Sequence, residues 1–239
     1  MKILWLVAAR SGSKSVPHKN IKELGGIPLL NHRIISALNT GNVRNTEGSS
    51  SEVWITTDSV EYAEIAGKQG AKVPFIRPEH LATDAASSID VVLHAMQFAK
   101  NEGLTFDAIG LLEPTSPFVT SGQLTDAVHQ LFEDTTADAI VAVKETRPNT
   151  FFIQKEGDYL DVLAGRFEQQ KALGRQFFDK EITPCGGFYI AKWSNFLEKQ
   201  TFYTAKTRAY LVDEIAGLEI DEPIDWLWAE FIINQRLTN

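Results

Sequence analysis

Residues 10–22 carry Arg10, Lys14, Lys19 and Lys22 and no acidic residue, a local cluster of four positive charges in a chain of net charge −8. Small residues separate the cations: Arg10-Ser11-Gly12-Ser13-Lys14, with Lys19-Asn20 beyond. Such a loop can offer backbone N–H groups and side-chain cations to phosphates. The competing reading is a solvated basic loop. Spacing excludes two familiar phosphate loops. A Walker A loop needs Gly-Lys-Ser/Thr with a second glycine five residues upstream; here a serine precedes Lys14, and Val7 stands five residues before Gly12. A dinucleotide fingerprint needs three spaced glycines, and Gly12 stands alone in the loop.

Glu219 and Asp221 form a second constellation. On a strand, positions i and i+2 face the same way, so both carboxylates can reach one divalent cation. The alternative is an acidic cluster, with Glu222, at a helix N-terminus. Cys185 is the only cysteine, and the five histidines show no metal-ligand spacing. That argues against a disulfide scaffold, a cysteine-rich zinc site and a Cys–His nucleophile.

The chain that must position these groups has 239 residues, 44% hydrophobic and 23% charged. That is ordinary for a globular fold and excludes disorder. Its acidity disfavours non-specific nucleic-acid binding, which rests on neutralising phosphates. No apolar run approaches the roughly 18 residues of a membrane span. The expectation is a cytoplasmic protein that engages neither nucleic acid nor membrane.

The run Lys2–Ala9 is apolar without alternation, which predicts a strand buried on both faces. Further strands are predicted at 52–57, 73–76, 108–112, 139–143 and 187–191, with a short one ending at 219–221. Pro74 weakens the third and assigns it to an edge. Helices are predicted at 28–38, at 59–70 with a serine cap and a glycine stop, from Ser87 or Ser88 to about 103, at 122–133 and at 222–235. Trp226 and Trp228 in the last helix read as packing or interface residues. Alternation of strand and helix predicts an α/β fold, a mostly parallel sheet with helices on both faces. The rhythm breaks at residues 144–184, where a β-hairpin around Glu156-Gly157-Asp158 is predicted. Residues 1–143 and 185–239 are read as the core, and 144–184 as a small insertion used for dimerisation.

Five collinear segments resemble the acylneuraminate cytidylyltransferase (CMP-sialic acid synthetase) family of sugar nucleotidyltransferases. They are Ala9–Lys14 with Lys19-Asn20; Arg77-Pro78 with Leu81–Ser88; Leu112–Pro117; Arg175-Gln176 followed by Gly186–Ile190; and Glu219–Asp221. The resemblance implies a three-layer Rossmann-like fold and a reaction in which CTP and an acidic 3-deoxy-2-keto sugar (a nonulosonate or octulosonate) give a CMP-sugar and pyrophosphate. It implies Arg10, Lys14 and Lys19 on the phosphates as catalytic groups. Ser11, Gly12, Asn20, Arg77, Ala86 and Ser88 would contact the nucleotide, and Glu113, Arg175 and Gln176 the sugar. Asp221, with Glu219, would hold Mg²⁺. A homodimer and a role in surface polysaccharide biosynthesis are also implied. Alternatives are a nucleotidyltransferase acting on a sugar or polyol phosphate, and a catalytically silent nucleotide-binding module.

Four positions depart from the family pattern. Glu113 replaces a usual glutamine, Thr183 a frequent arginine and Cys185 a frequent asparagine. Glu219 also stands where the pattern has aspartate. The first three lie near the expected sugar pocket, so a sugar other than ordinary sialic acid is expected.

Overall fold

The computed structural model describes residues 1–13, 15–40, 51–146, 153–156, 159–162 and 181–238. Six strands form the central sheet: β1 (Ile3–Ala8), β4 (Glu52–Thr56), β5 (Ala108–Leu112), β6 (Ala139–Thr146), β9 (Glu181–Lys192) and β10 (Thr207–Leu211), in the order β10-β6-β9-β5-β1-β4. Every pairing is parallel except those of β9, which runs antiparallel between β5 and β6. Two hairpins lie outside the sheet, β2–β3 (Glu23–Leu24, Ile27–Pro28) and β7–β8 (Ile153–Glu156, Tyr159–Val162).

The uniform apolar runs follow from burial on both faces. In β1, Ile3, Trp5 and Val7 join the core with Ile34 of helix α1 (Leu29–Leu38), Tyr62 of α2 (Val60–Gln69) and Leu124 of α4 (Ser121–Glu133). Leu4 and Leu6 point the other way, among Val92 and Met96 of α3 (Ser88–Asn101) and Phe196 of α5 (Trp193–Lys199). Each such side chain, moved out of water, contributes about 1.5–3 kcal/mol. Helices α1, α2 and α4 thus cover one face and α3 and α5 the other.

Local chemistry sets the helix ends. The Ser59 hydroxyl accepts from Tyr62 N–H, and Gly70 closes α2 at φ 108°. Ser87 caps α3 by accepting from Asp90 N–H at 3.1 Å. Thr120 and Gln123 form a reciprocal capping box on α4. The last helix, α6 (Pro223–Thr238), closes a third cluster in which Trp226 and Ala229 meet Val16, Leu24, Leu29 and Phe118. Trp226 is buried, whereas Trp228 is exposed beside Ile224, Leu227 and Phe231.

The structure corrects three expected elements. Residues 73–76 form no strand; a single bridge, Trp54 to Lys72, marks the approach of that segment to β4. Residues 219–221 are irregular, and the edge strand is instead β10 at 207–211. Strand β9 is longer than expected, and with β6 it reaches past 144 and before 185. The predicted hairpin at 151–162 is present over its described residues.

Candidate active site

Ligands of open α/β sheets bind beyond the carboxyl ends of the strands. Here the segments after β1, β4 and β5 meet residues 221–222 at that edge. They enclose a cavity of about 530 Å³ lined by Arg10, Ser13, Ser15, Lys19, Asn20, Arg77, Ala86, Ser88, Glu113 and Asp221, among others. Most of the expected nucleotide and metal residues therefore share one cavity. Ser11, Gly12 and Glu219 do not line it, Lys14 lies outside the described residues, and so do Arg175 and Gln176.

The first loop is held from outside itself. Asp58, just past β4, accepts from Ser11 N–H at 2.8 Å and from the Ser11 hydroxyl at 2.6 Å. Burial raises the Asp58 carboxyl, but the Ser11 hydrogen bonds outweigh it and hold the group below the usual range. The Asn20 amide donates to the Arg10 carbonyl at 2.9 Å, so it ties the two ends of the loop together. Arg10 pairs with Asp84 at 2.6 Å. Lys22 is turned away from the cavity's lining and lies 4.0 Å over the Trp226 ring. Sequence reasoning did not find Asp58, because nothing in a Thr-Asp-Ser segment shows that its carboxylate reaches a loop 47 residues earlier.

The residues expected to contact the base sort by burial. Arg77 is buried; its Nε donates to Thr56 Oγ1 at 3.0 Å and its Nη2 to the Thr56 carbonyl at 2.5 Å. Burial lowers its pKa to about 10, with Asp58 opposing. It braces the end of β4 while lining the cavity. Ser87 takes the cap of α3, which leaves Ser88 and Ala86 to line the cavity.

The acidic side is built on a bulge. Between Val141 and Val143 of β6 the register on β9 jumps from Tyr189 to Pro184. Gly186, inside that jump, has φ +56°. A Cβ there would lie 2.6 Å from Glu219 Oε2 and 3.0 Å from Glu113 Oε2. The two carboxylates therefore flank one glycine. Burial pushes the Glu113 carboxyl up to about 7; Glu219 and Asp221 add to this, and Arg33 and Lys19 oppose it. Burial also raises Glu219, against Lys144. Arg33, fully buried on α1, donates to the carbonyls of Val119 and Gly187, and burial lowers it to about 9 against the pull of Glu113.

Three further residues were missed from sequence. Tyr189, Phe202 and Tyr203, with Glu113, Ser88, Ile89, Leu111 and Thr201, line a second cavity of about 270 Å³. It shares Glu113 and Ser88 with the first. Tyr189 could have been found in the Gly-Gly-Phe-Tyr-Ile segment; Phe202 and Tyr203 carry no sequence signal. Lys144 was missed as well, and donates to the Gly217 carbonyl at 2.8 Å while lying 4.0 Å from Glu219. Cys185 is buried and burial raises its thiol pKa, which suits packing rather than nucleophilic attack.

No three His, Cys, Asp or Glu side chains converge on a metal site among the described residues. One or two carboxylates beside a phosphate cradle are, however, the usual protein share of a Mg²⁺ site. Asp221, which lines the cavity, fits that pattern; Glu219 does not line it and lies 4.0 Å from Lys144.

A basic loop at the carboxyl edge of an α/β sheet, facing carboxylates across a cavity, suits the binding and transfer of a phosphate-bearing group. Residues 4–159 match the cytidylyltransferase family, and the chain belongs to it. It is 30% identical over 235 residues to the CMP-N,N'-diacetyllegionaminic acid synthase of Legionella pneumophila, covering 96% of this chain and 95% of that one. It is 27% identical to the pseudaminic acid cytidylyltransferase of Campylobacter jejuni, covering 97% and 96%. Among solved structures, the fold is similar to that of CMP:2-keto-3-deoxy-manno-octonic acid synthetase complexed with CTP, with a TM-score of 0.69, 15% identity, and coverage of 99% and 100%.

Proposed function

We propose that this chain transfers CMP from CTP to an acidic 3-deoxy-2-keto sugar and releases pyrophosphate. The observation that carries this reading is the single cavity in which Arg10 and Lys19 face Asp221 and Glu113. The basic loop would bind the triphosphate, and Ala86, Ser88 and Arg77 would border the base. Glu113, with Arg175 and Gln176, would meet the sugar; Arg175 suits its carboxylate.

The anomeric hydroxyl attacks the α-phosphorus in line. An O–P bond forms, the hydroxyl gives its proton to water, and the bond to the bridging oxygen breaks as pyrophosphate leaves with the electron pair. Arg10, Lys14 and Lys19 stabilise the charge gathering on that leaving group. Asp221 and Glu219 would hold Mg²⁺, which when bound neutralises phosphate charge. The Asp58 clamp keeps Ser11 and the loop backbone in place.

A homodimer built through residues 144–184, a cytoplasmic location and a role in surface polysaccharide biosynthesis complete the proposal. The exposed apolar face of α6 gives the dimer a second candidate contact. Among the described residues no helix is long and apolar enough to cross a membrane.

The test is pyrophosphate release from CTP with Mg²⁺ across a panel of 3-deoxy-2-keto sugar acids, with ATP, GTP and UTP as controls. Release with CTP and one acid is expected. Failure to bind CTP overturns the assignment of the loop, and release only with a phosphorylated acceptor overturns the sugar-acid assignment.

A further inference from the structure

We infer that the sugar acid taken by this chain carries a basic nitrogen, an amine or amidine that is cationic at neutral pH, and that Glu113 receives it in the cavity walled by Tyr189, Phe202 and Tyr203. The inference rests on the assignment of the sugar side proposed above.

The first support is charge pairing. Glu113 and Glu219 flank the bulge at Gly186, Asp221 acts electrostatically on both, and two of the three have their own lysine. Asp221 lies 3.3 Å from Lys19, and Glu219 lies 4.0 Å from Lys144. Arg33 directs both terminal nitrogens at the carbonyls of Val119 and Gly187. Glu113 has no ion pair and no side-chain hydrogen bond among the described residues. Arg33 and Lys19 act on it only from beyond ion-pair distance.

The second support is the wall. Glu113 opens onto the 270 Å³ cavity, whose other lining groups are mostly apolar or aromatic. Tyr189 stands 5.6 Å from Phe202 and 6.2 Å from Tyr203, centroid to centroid. Ring faces attract cations, and a carboxylate at the end of an aromatic enclosure selects charged nitrogen over a neutral amide. A neutral N-acyl group would leave the Glu113 carboxylate desolvated and unpaired. The shared lining residues, Glu113 and Ser88, place the cavity next to the nucleotide space, where a substituent of an acceptor sugar would fall.

The experiment compares two 3-deoxy-2-keto sugar acids that differ only at one nitrogen, free amine against N-acetyl, in pyrophosphate release with CTP. Each nitrogen-bearing carbon is tested in turn. The amine is expected to be preferred in kcat/KM by on the order of 10–100-fold at one carbon. Glu113→Gln should abolish that preference by cutting amine turnover. Tyr203→Leu should reduce the preference without inverting it. CTP binding by each variant, measured by calorimetry, reports that it is folded. Equal or better turnover of every N-acetyl sugar, or a preference that survives Glu113→Gln, overturns the inference and leaves the proposed reaction standing. CTP binding without turnover of any sugar acid overturns the proposed reaction itself, and this inference with it.

Discussion

Lys19 Nζ lies 3.3 Å from Asp221 Oδ1 and 2.7 Å from the carbonyl of Ile220, joining positions 202 and 201 residues apart. The lysine expected on phosphate is thus held by the segment expected to carry the metal carboxylate. Both sides of the cavity are set by one contact. Asp221→Asn should leave the fold intact, since that side chain is mostly exposed. It should lower kcat/KM by roughly 100-fold, on the scale of losing a metal-site group. Raising Mg²⁺ should recover part of the loss, which a magnesium titration of initial rates checks.

The Asp58–Ser11 clamp makes a different prediction. Asp58→Asn keeps the shape but removes the charge that accepts both hydrogen bonds. The cost should be about 1–2 kcal/mol, reduced because the pair is partly exposed. The Asp58 pKa is depressed in the folded state, so its contribution is present above the unfolded carboxylate value and is lost as pH falls through the folded one. Thermal melts of wild type and variant should converge at acid pH, and CTP should bind the variant more weakly at pH 7.

Gly186→Ala places a Cβ in a left-handed backbone position and against Glu219 and Glu113. Backbone strain of that kind costs on the order of 1–3 kcal/mol. The bulge should shift and push the two carboxylates apart. KM for the sugar should rise more than KM for CTP, because the first loop is held independently by Asp58. Steady-state kinetics with each substrate varied would check the split.

Glu113 predicts a pH dependence of stability without nucleotide or metal. Its carboxyl is raised to about 7 by burial, with Glu219 and Asp221 adding. A raised carboxyl contributes stability in full below the unfolded value and loses it as pH rises through about 7. The loss is on the order of 3 kcal/mol at most. Between pH 5 and pH 8 the wild type should therefore lose Tm relative to Glu113→Gln, as calorimetry at both values would show.

Much of this was legible in the chain. The run Ile3–Ala8 has no polar break because helices cover both faces of β1, and the caps at Ser59, Ser87 and Thr120 are local chemistry. The strand assigned to 219–221 failed because its carboxylates are placed by the Lys19 contact and by the packing of Ile220 and α6, neither of which has a periodic signature. The strand at 73–76 failed because Pro74 cannot extend a ladder, and pairing stopped at one bridge. The direction of β9 was equally hidden: Gly187–Ala191 is apolar in either orientation.

By itself, the sequence determined the class of the fold, the basic loop and the identity of the groups available for chemistry, because apolar periodicity, capping and local charge act over a few residues. Only the tertiary structure decided which of those groups meet. It set Lys19 against Asp221, clamped Ser11 with Asp58, and left Glu113 without an ion pair among the described residues, in one cavity with Tyr189 and Tyr203. Those relationships depend on the order of strands in the sheet and on one bulge in β9, which are fixed by packing between segments far apart in the chain.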